Sequence, residues 1–336
     1  MSSAPPILSI IIVNWNSWEV LRNCLESLRQ HASDVAHEII VIDNHSADAS
    51  VANLRQDYPE VTLLALDTNV GFPKANNLGF VQARGKYFLT LNPDTTVHPG
   101  AIQESIRFLE HHPDYGCVGV KTLKPNGKVQ SCCARQRPTL RGVMANILML
   151  DKVIPSAAWL KSVDMTFWDH EDSRDVDMLS GSYMMFPRTI YETLGGLDER
   201  VLMFLEDVEF CLRLRKNGFR IRYLGEVSIV HHVGQSTAKA APRPIAELRY
   251  RAWQMVIEEC YGPRAAKRFA WLLLPVLLLK FLLLPMLCLG MYLKNRENRF
   301  VKEVSETAYA LLWAARTVTR SLLNREERGI ALPDHK

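Results

Sequence analysis

The sequence predicts an α/β domain on an open, mostly parallel sheet with helices on both faces, followed by helices that seek a membrane. Three observations carry this. Apolar runs alternate with helix-period segments from residue 7 to about 120, and polar residues cluster directly after each run. At the other end, Phe269 to Leu293 is 25 residues with Lys280 as its one charge.

The elements follow in order. Residues 7–13 (ILSIIIV) form a continuous apolar run, the mark of a parallel strand covered on both faces. No basic segment precedes it and Asn14 ends it, so it reads as a strand rather than an export signal. A helix pattern follows, with Ser17 as cap and Val20, Leu21, Cys24, Leu25 and Leu28 on one face. Residues 38–43, 61–66 and 87–92 predict three more strands, and Ala75 to Arg84 a helix between the last two. Residues 121–176 carry Pro125, Gly127, Pro138 and Pro155 and give no clear order. Regularity returns with a strand near 177–186, helices near 187–194 and 205–217, and strands over 220–224 and 227–232. An amphipathic helix is expected over 243–268, with Ile245, Leu248, Ala252, Val256 and Ile257 on one side.

Composition excludes several classes. With 48% hydrophobic and 23% charged residues, the chain can build a large core and is not disordered. A net charge of +4 is too weak to imply nucleic acid. The seven cysteines show no CxxC pair, and they read as cytosolic thiols. The first strand lacks the glycine-rich turn of a dinucleotide oxidoreductase.

Ligands on open α/β sheets bind beyond the carboxyl ends of the strands, so the residues there are the candidates. After the first strand stand Val13 and Asn14, and after the second Asp43 and Asn44. A carboxylate at such an end can accept a base imino N–H, although a turn or a cap is the commoner use of Asp. After the third comes Asn69-Val70-Gly71-Phe72-Pro73-Lys74-Ala75-Asn76-Asn77, which combines a glycine, a cation and a helix start. These are the parts of a diphosphate cradle. The fourth ends in Asn92-Pro93-Asp94, where a carboxylate beside a diphosphate suits Mg²⁺ or Mn²⁺. Glu206, Asp207 and Glu209 open a predicted helix; macrodipole complementarity explains such acids, and so does a base for an acceptor hydroxyl. His231-His232 ends the last strand and offers an imidazole to a metal site.

Taken in order, IIVNWNS, IIVIDNHSAD, NVGFPKANNLGF, LNPDTTV, LGGLDERVLMFLEDVEFCLRL and HHVGQST resemble the family-2 inverting glycosyltransferases. Within them the likeness is to rhamnosyltransferase-like enzymes of bacterial lipopolysaccharide and cell-wall glycan assembly. The resemblance covers roughly residues 7–240 and implies a glycosyltransferase-A fold, a nucleoside-diphosphate sugar donor and a divalent metal. It implies that Asp43 reads a pyrimidine base near Val13 and Asn14, with Lys74 and Asn76 by the ribose and diphosphate. Asn92-Pro93-Asp94 takes the place of the family's DxD, so Asp94 binds metal, with Asn92 for the first acid. His232, aligned with H-x-G-x-S, becomes a metal or diphosphate contact. Asp207 matches the catalytic base, braced by Glu206. The expected donor is dTDP-rhamnose.

The resulting division is a catalytic domain over 1–240, with a nucleotide-sugar half (1–120) and an acceptor half (121–240). A linker helix over 241–268 and a membrane-anchoring tail over 269–336 follow. The acceptor side is expected to include Cys132, Cys133, Arg135, Arg137 and Arg141. The 12 leucines of the apolar stretch outweigh Lys280. Basic residues on both flanks and the interrupting Pro275 and Pro285 favour a monotopic or re-entrant anchor over a span. A stripe of Val304, Ala308, Leu311, Leu312, Ala315, Val318 and Leu322 suits an interfacial helix; a core or oligomer helix is the plain alternative. Such an anchor would set the site beside a polyprenyl-diphosphate-linked sugar at the cytoplasmic face of a bacterial inner membrane. Two rivals remain. A processive polysaccharide synthase would show Q-x-x-R-W, which is absent, and a non-catalytic nucleotide-sugar-binding scaffold would not need Asp94 and Asp207.

Overall fold

The computed structural model describes residues 5–148, 150, 154, 156–157, 159, 163–165, 167–200, 205–232, 242–292 and 297–322. The chain divides into two compact units, one of residues 1–137 with 163–236, the other of 138–162 with 237–336.

The first unit opens with β1 (Leu8–Asn14), α1 (Trp18–His31), β2 (His37–Asp43), α2 (Ser50–Asp57), β3 (Thr62–Ala65), α3 (Phe72–Gln82) and β4 (Tyr87–Leu91). Every residue of β1 is buried, as its unbroken apolar run requires. It pairs in parallel with β2 on one side and β4 on the other, and β2 pairs with β3. Leu21, Cys24, Leu25 and Leu28 of α1 are buried against one face of this sheet, in the core that holds Ile10 and Ile12. On the other face α3 comes close: a Cβ on Gly79 would stand 2.6 Å from Ile11 Cγ2 and 2.8 Å from Ile42 Cδ1. That approach needs glycine. α3 begins three residues earlier than its apolar period suggests, because Pro73 fits the first turn of a helix.

Next come β5 (Thr95–Val97), α4 (Ala101–His111), β6 (Tyr115–Leu123), β7 (Ala134–Arg135), β8 (Arg174–Asp175), β9 (Met178–Leu179) and β10 (Tyr183–Pro187). α6 (Arg188–Leu194), α7 (Glu206–Lys216) and β11 (Arg220–His231) complete the unit; α5 belongs to the second. The expectation of a mostly parallel sheet holds for β1 to β4, and beyond them the sheet is mixed. β10 runs antiparallel between β4 and β6, and β11 pairs in parallel with β6 but antiparallel with β5. The strand order is β3-β2-β1-β4-β10-β6-β11-β5, with β8 on β11 and a separate β7–β9 pair. The two strands expected over 220–232 are one, kinked by a register shift between Leu224 and Ser228. Because β10 is reversed, its start lies at the same edge as the ends of β1, β2 and β4.

The second unit contains α5 (Leu140–Ile147), capped by the Thr139 hydroxyl, and then α8 (Pro242–Tyr261), α9 (Pro263–Tyr292) and α10 (Glu297–Leu322). The one helix expected over 243–268 is two, parted at Gly262, whose φ of +84° suits glycine. Pro275 and Pro285 do not interrupt α9. Each removes one ladder hydrogen bond, which a 30-residue helix tolerates. α10 buries Thr307, Ala310, Trp313, Ala314 and Val318, with Trp313 stacked on Tyr250 at 6.1 Å and Glu306 2.9 Å from Arg249. Its inner face is therefore turned from the expected stripe, and Leu312 is exposed. Trp313 shares the contact with small residues, Thr307, Ala310 and Ala314, which let the helices approach closely. Among the described residues no helix is long and apolar enough to cross a membrane.

Candidate active site

The carboxyl ends of β1 and β2 are locked together. Asn14 and Asp43 are register partners, and Asn14 Nδ2 donates to Asp43 Oδ2 at 2.9 Å and to Ser46 Oγ at 3.3 Å. Asp43 Oδ1 accepts the Ser46 backbone N–H at 2.8 Å. Asn44 bridges onward, donating to Asn69 Oδ1 at 3.0 Å and accepting the Val70 N–H at 2.9 Å. Asn69 in turn accepts the Gly71 N–H, and Gly71 holds φ +87° at the start of α3. Asn16 and His45 occupy left-handed backbone without being glycine, a strain held by hydrogen bonds such as Asn16 N–H to Ser46 Oγ at 2.8 Å. Val13 is buried, and Lys74 is exposed at the first turn of α3.

Asn76 turns inward, buried, with its amide donating to Phe72 O at 2.9 Å. Its neighbour Asn77 has a task that sequence reasoning missed. It accepts the Leu197 N–H at 2.8 Å and donates to Leu197 O at 2.9 Å, tying α3 to the loop that leads towards the acidic helix.

At the end of β4, Asp94 and His231 meet, with Oδ1 and Nε2 3.1 Å apart and both residues buried. His231 Nδ1 lies 3.2 Å from Gln130 Oε1, and Asn92 Nδ2 lies 3.2 Å from His231 Nε2. The Gln130 contact on Nδ1 turns Nε2 towards Asp94 and the Asn92 amide. A carboxylate oxygen and an imidazole nitrogen are both ligand atoms that divalent metals accept. Two donors about 3 Å apart also match neighbouring positions around an ion with bonds of about 2.1 Å. The pair therefore fits a Mg²⁺ or Mn²⁺ ion that takes its remaining ligands from a diphosphate and water. Among the described residues no group of three or more His, Cys, Asp or Glu side chains is gathered for a metal. The expected His232 is placed differently: its Nε2 lies 3.2 Å from Thr96 Oγ1, and its backbone N–H donates to Asp94 O at 2.8 Å. Strand alternation is the reason, since His231 follows the buried Ile229 by two positions.

The three acids of α7 divide. Glu209 grips Arg213 with both oxygens, at 3.0 and 2.8 Å, and Arg213 also donates to Gly196 O at 2.7 Å, so this pair is structural. Leu205, just before the helix, is held at φ +61°. Asp207 Oδ2 accepts the Gly181 N–H at 2.9 Å and Oδ1 the Val208 N–H at 2.8 Å. Arg135 Nη1 stands 3.8 Å from Asp207 Oδ2, while its Nε is 3.4 Å from Asp164 Oδ1. Burial penalises the Arg135 guanidinium, but the charge of Asp207 and then of its other neighbours more than offsets this and holds it protonated. Glu206 is buried with Oε2 unpartnered, and burial followed by the Asp207 charge pushes its carboxyl up to about 8. Adjacent acids thus have opposite surroundings, one laced with donors, one dry.

These groups share one edge of the sheet. Asn92 N–H donates to Ser182 O at 3.2 Å, and Gly181, next along, donates to Asp207. β4 thereby links the Asp94–His231 pair to the Asp207 side, and β1 links β4 to Asp43. Cys24, Cys117, Cys132, Cys133, Cys211 and Cys260 carry free thiols, and burial raises those of Cys24, Cys117, Cys133 and Cys211, which suits packing rather than nucleophilic chemistry. One sheet edge thus gathers Asp43, the Asp94–His231 pair and Asp207.

Comparison with known proteins agrees. The profile "Glycosyl transferase family 2" matches residues 9–195. The chain belongs to that family and is a glycosyltransferase, of rhamnosyltransferase-like type. N-acetylglucosaminyl-diphospho-decaprenol L-rhamnosyltransferase of Mycobacterium tuberculosis is 28% identical over 249 residues, 69% of this chain and 78% of that enzyme. Rhamnosyltransferase WbbL of Escherichia coli is 23% identical over 234 residues, 66% and 82% of the two chains. Among solved structures, the mannosyltransferase PcManGT of Pyrobaculum calidifontis, in complex with GDP-Man and Mn²⁺, superposes with a TM-score of 0.55. That match has 16% identity and covers 96% of this chain and 89% of that one, a likeness of fold.

Proposed function

We propose that the protein transfers a sugar, with L-rhamnose from dTDP-rhamnose the leading candidate, to a hydroxyl of a polyprenyl-diphosphate-linked glycan. Transfer proceeds with inversion, at the cytoplasmic face of a bacterial inner membrane. The observation that carries the reading is the meeting of Asp43, the Asp94–His231 pair and Asp207 along one sheet edge. The rhamnosyltransferase relatives, one of them named for a decaprenol-linked substrate, support the choice of sugar and acceptor.

In this reading Asp43, with Val13, Asn14 and Asn44 around it, takes the base. Gly71 and Lys74 at the start of α3 face the diphosphate, and Asn92 positions His231. Asp94 and His231 would hold a Mg²⁺ or Mn²⁺ ion, which would supply positive charge to the leaving diphosphate. Asp207 accepts the proton of the acceptor hydroxyl. Each of its oxygens receives one backbone N–H and keeps a lone pair for that proton. As the acceptor oxygen bonds to the anomeric carbon, the bond to the diphosphate oxygen breaks on the opposite face, which inverts the configuration. Glu206, protonated near neutral pH, adds no second negative charge beside the base.

The test incubates the purified chain with a panel of nucleoside-diphosphate sugars, a polyprenyl-diphosphate-GlcNAc acceptor and Mn²⁺ or EDTA, with product anomers read by NMR. Consumption of dTDP-rhamnose, inverted product and loss of turnover in EDTA are expected. A retained anomer overturns the mechanism, and equal rates with a soluble sugar acceptor overturn the lipid-linked one.

A further inference from the structure

One surface of the second unit has no part in this chemistry. α9 buries Ala266, Phe269, Ala270, Leu273, Leu277 and Lys280 along one side. At 100° per residue these fall within one arc, opposite a second set at the same spacing. That second set starts with three exposed cations, Arg264, Lys267 and Arg268. It continues with Trp271, Leu272, Leu278, Leu279 and Leu282, each between 46 and 65% exposed. Lys280, the one charge of the apolar stretch, lies on the buried side, so the outer face carries no charge from Trp271 to Leu282.

We propose that this outer face of α9 docks on a bilayer rich in anionic phospholipid, with the three cations against headgroup phosphates and the leucines below them. The sorting along the helix carries the argument. A face meant for a second protein would mix charge and apolar groups around a centre. Here the cations collect in the first two turns, tryptophan follows, and the aliphatic side chains come last. That sequence matches the passage from headgroup to acyl chain, with an aromatic ring at the boundary. The helix therefore docks obliquely, its amino-terminal end shallow and Leu282 deeper. The proposal sharpens the membrane placement given above and rests on that part of it alone.

The test is flotation of the full chain with vesicles of phosphatidylcholine alone or with 30% phosphatidylglycerol. Anionic vesicles are expected to capture the protein and neutral ones to capture far less. The combined Arg264→Gln, Lys267→Gln, Arg268→Gln variant should lose about 100-fold in partitioning, as roughly five-fold per charge implies. Leu278→Ser with Leu279→Ser and Leu282→Ser should abolish it on either vesicle. In lipids brominated along the acyl chain, quenching of tryptophan fluorescence should fall in Trp271→Phe, which preserves packing and guards against a misfolded variant. Undiminished flotation of the leucine variant overturns the proposal. So does sedimentation showing that the leucine variant converts a lipid-indifferent oligomer to monomer. None of these readouts uses turnover, so a failure here leaves the catalytic reading intact, and a failure of transfer leaves this one.

Discussion

From β1 to β4 the site is built by strands that end side by side. Asn14 and Asp43 are register partners, and a hydrogen bond of 2.9 Å joins their side chains. Beyond residue 121 the same edge is built by different means. Gly181 lies before a reversed strand, Gln130 and Arg135 come from an irregular stretch, and Asp207 stands on a helix behind a strained Leu205. The first half holds its groups through the repeat of a parallel sheet. The second half holds them by contacts between loops far apart in the chain. A donor needs a fixed cradle, whereas the base must meet an acceptor arriving from outside, and the two constructions match those needs.

Substitutions on each side should separate these functions. The largest effect is expected for Asp207→Asn, with kcat falling roughly 10²–10⁴-fold and donor affinity within two-fold, by steady-state kinetics beside a donor titration. Next, Asp94→Ala and His231→Ala should each remove the Mn²⁺ dependence of donor affinity in titration calorimetry, a loss of about ten- to a hundred-fold. His232→Ala should leave that dependence in place, which sharpens the distinction between the two histidines.

Arg135→Gln is expected to lower kcat by about ten-fold with little change in donor KM. A purely structural arginine would change stability without splitting kcat from KM.

The smallest effect concerns stability. Glu206 titrates near 4.5 when unfolded and about 8 when folded, so between these values the folded state binds the extra proton. Stability from this group is full below about 4.5 and is lost as pH rises through about 8. Glu206→Gln should therefore flatten the fall in Tm between pH 5 and 8.5, measured by thermal unfolding.

Much of the first half was legible in the sequence because its signals are local. An apolar run declares a buried strand, and topology sends ligands to the polar residues after it, so Asp43 and Asp94 stood out. Gly71 stood out as a glycine beside a cation at a helix start, and its φ of +87° is one glycine adopts freely. What escaped depended on side chains whose partners are remote in sequence. Asn76 and Asn77 are adjacent and equally polar, yet one bonds within its own helix and the other reaches 120 residues ahead to Leu197. Reversal of β10 was hidden because an apolar run has no direction. The choice of His231 over His232 was available from strand alternation after Ile229. The inner face of α10 was not, since periodicity finds apolar stripes without saying which one a neighbouring helix will cover.

The most direct measurement is a crystal structure of the full chain with Mn²⁺ and an intact nucleoside-diphosphate sugar. The account predicts the base against Asp43, the metal and diphosphate between Asp94 and His231, and the anomeric carbon facing Asp207 across open space for an acceptor. A donor bound elsewhere, or one whose anomeric carbon points away from Asp207, contradicts it.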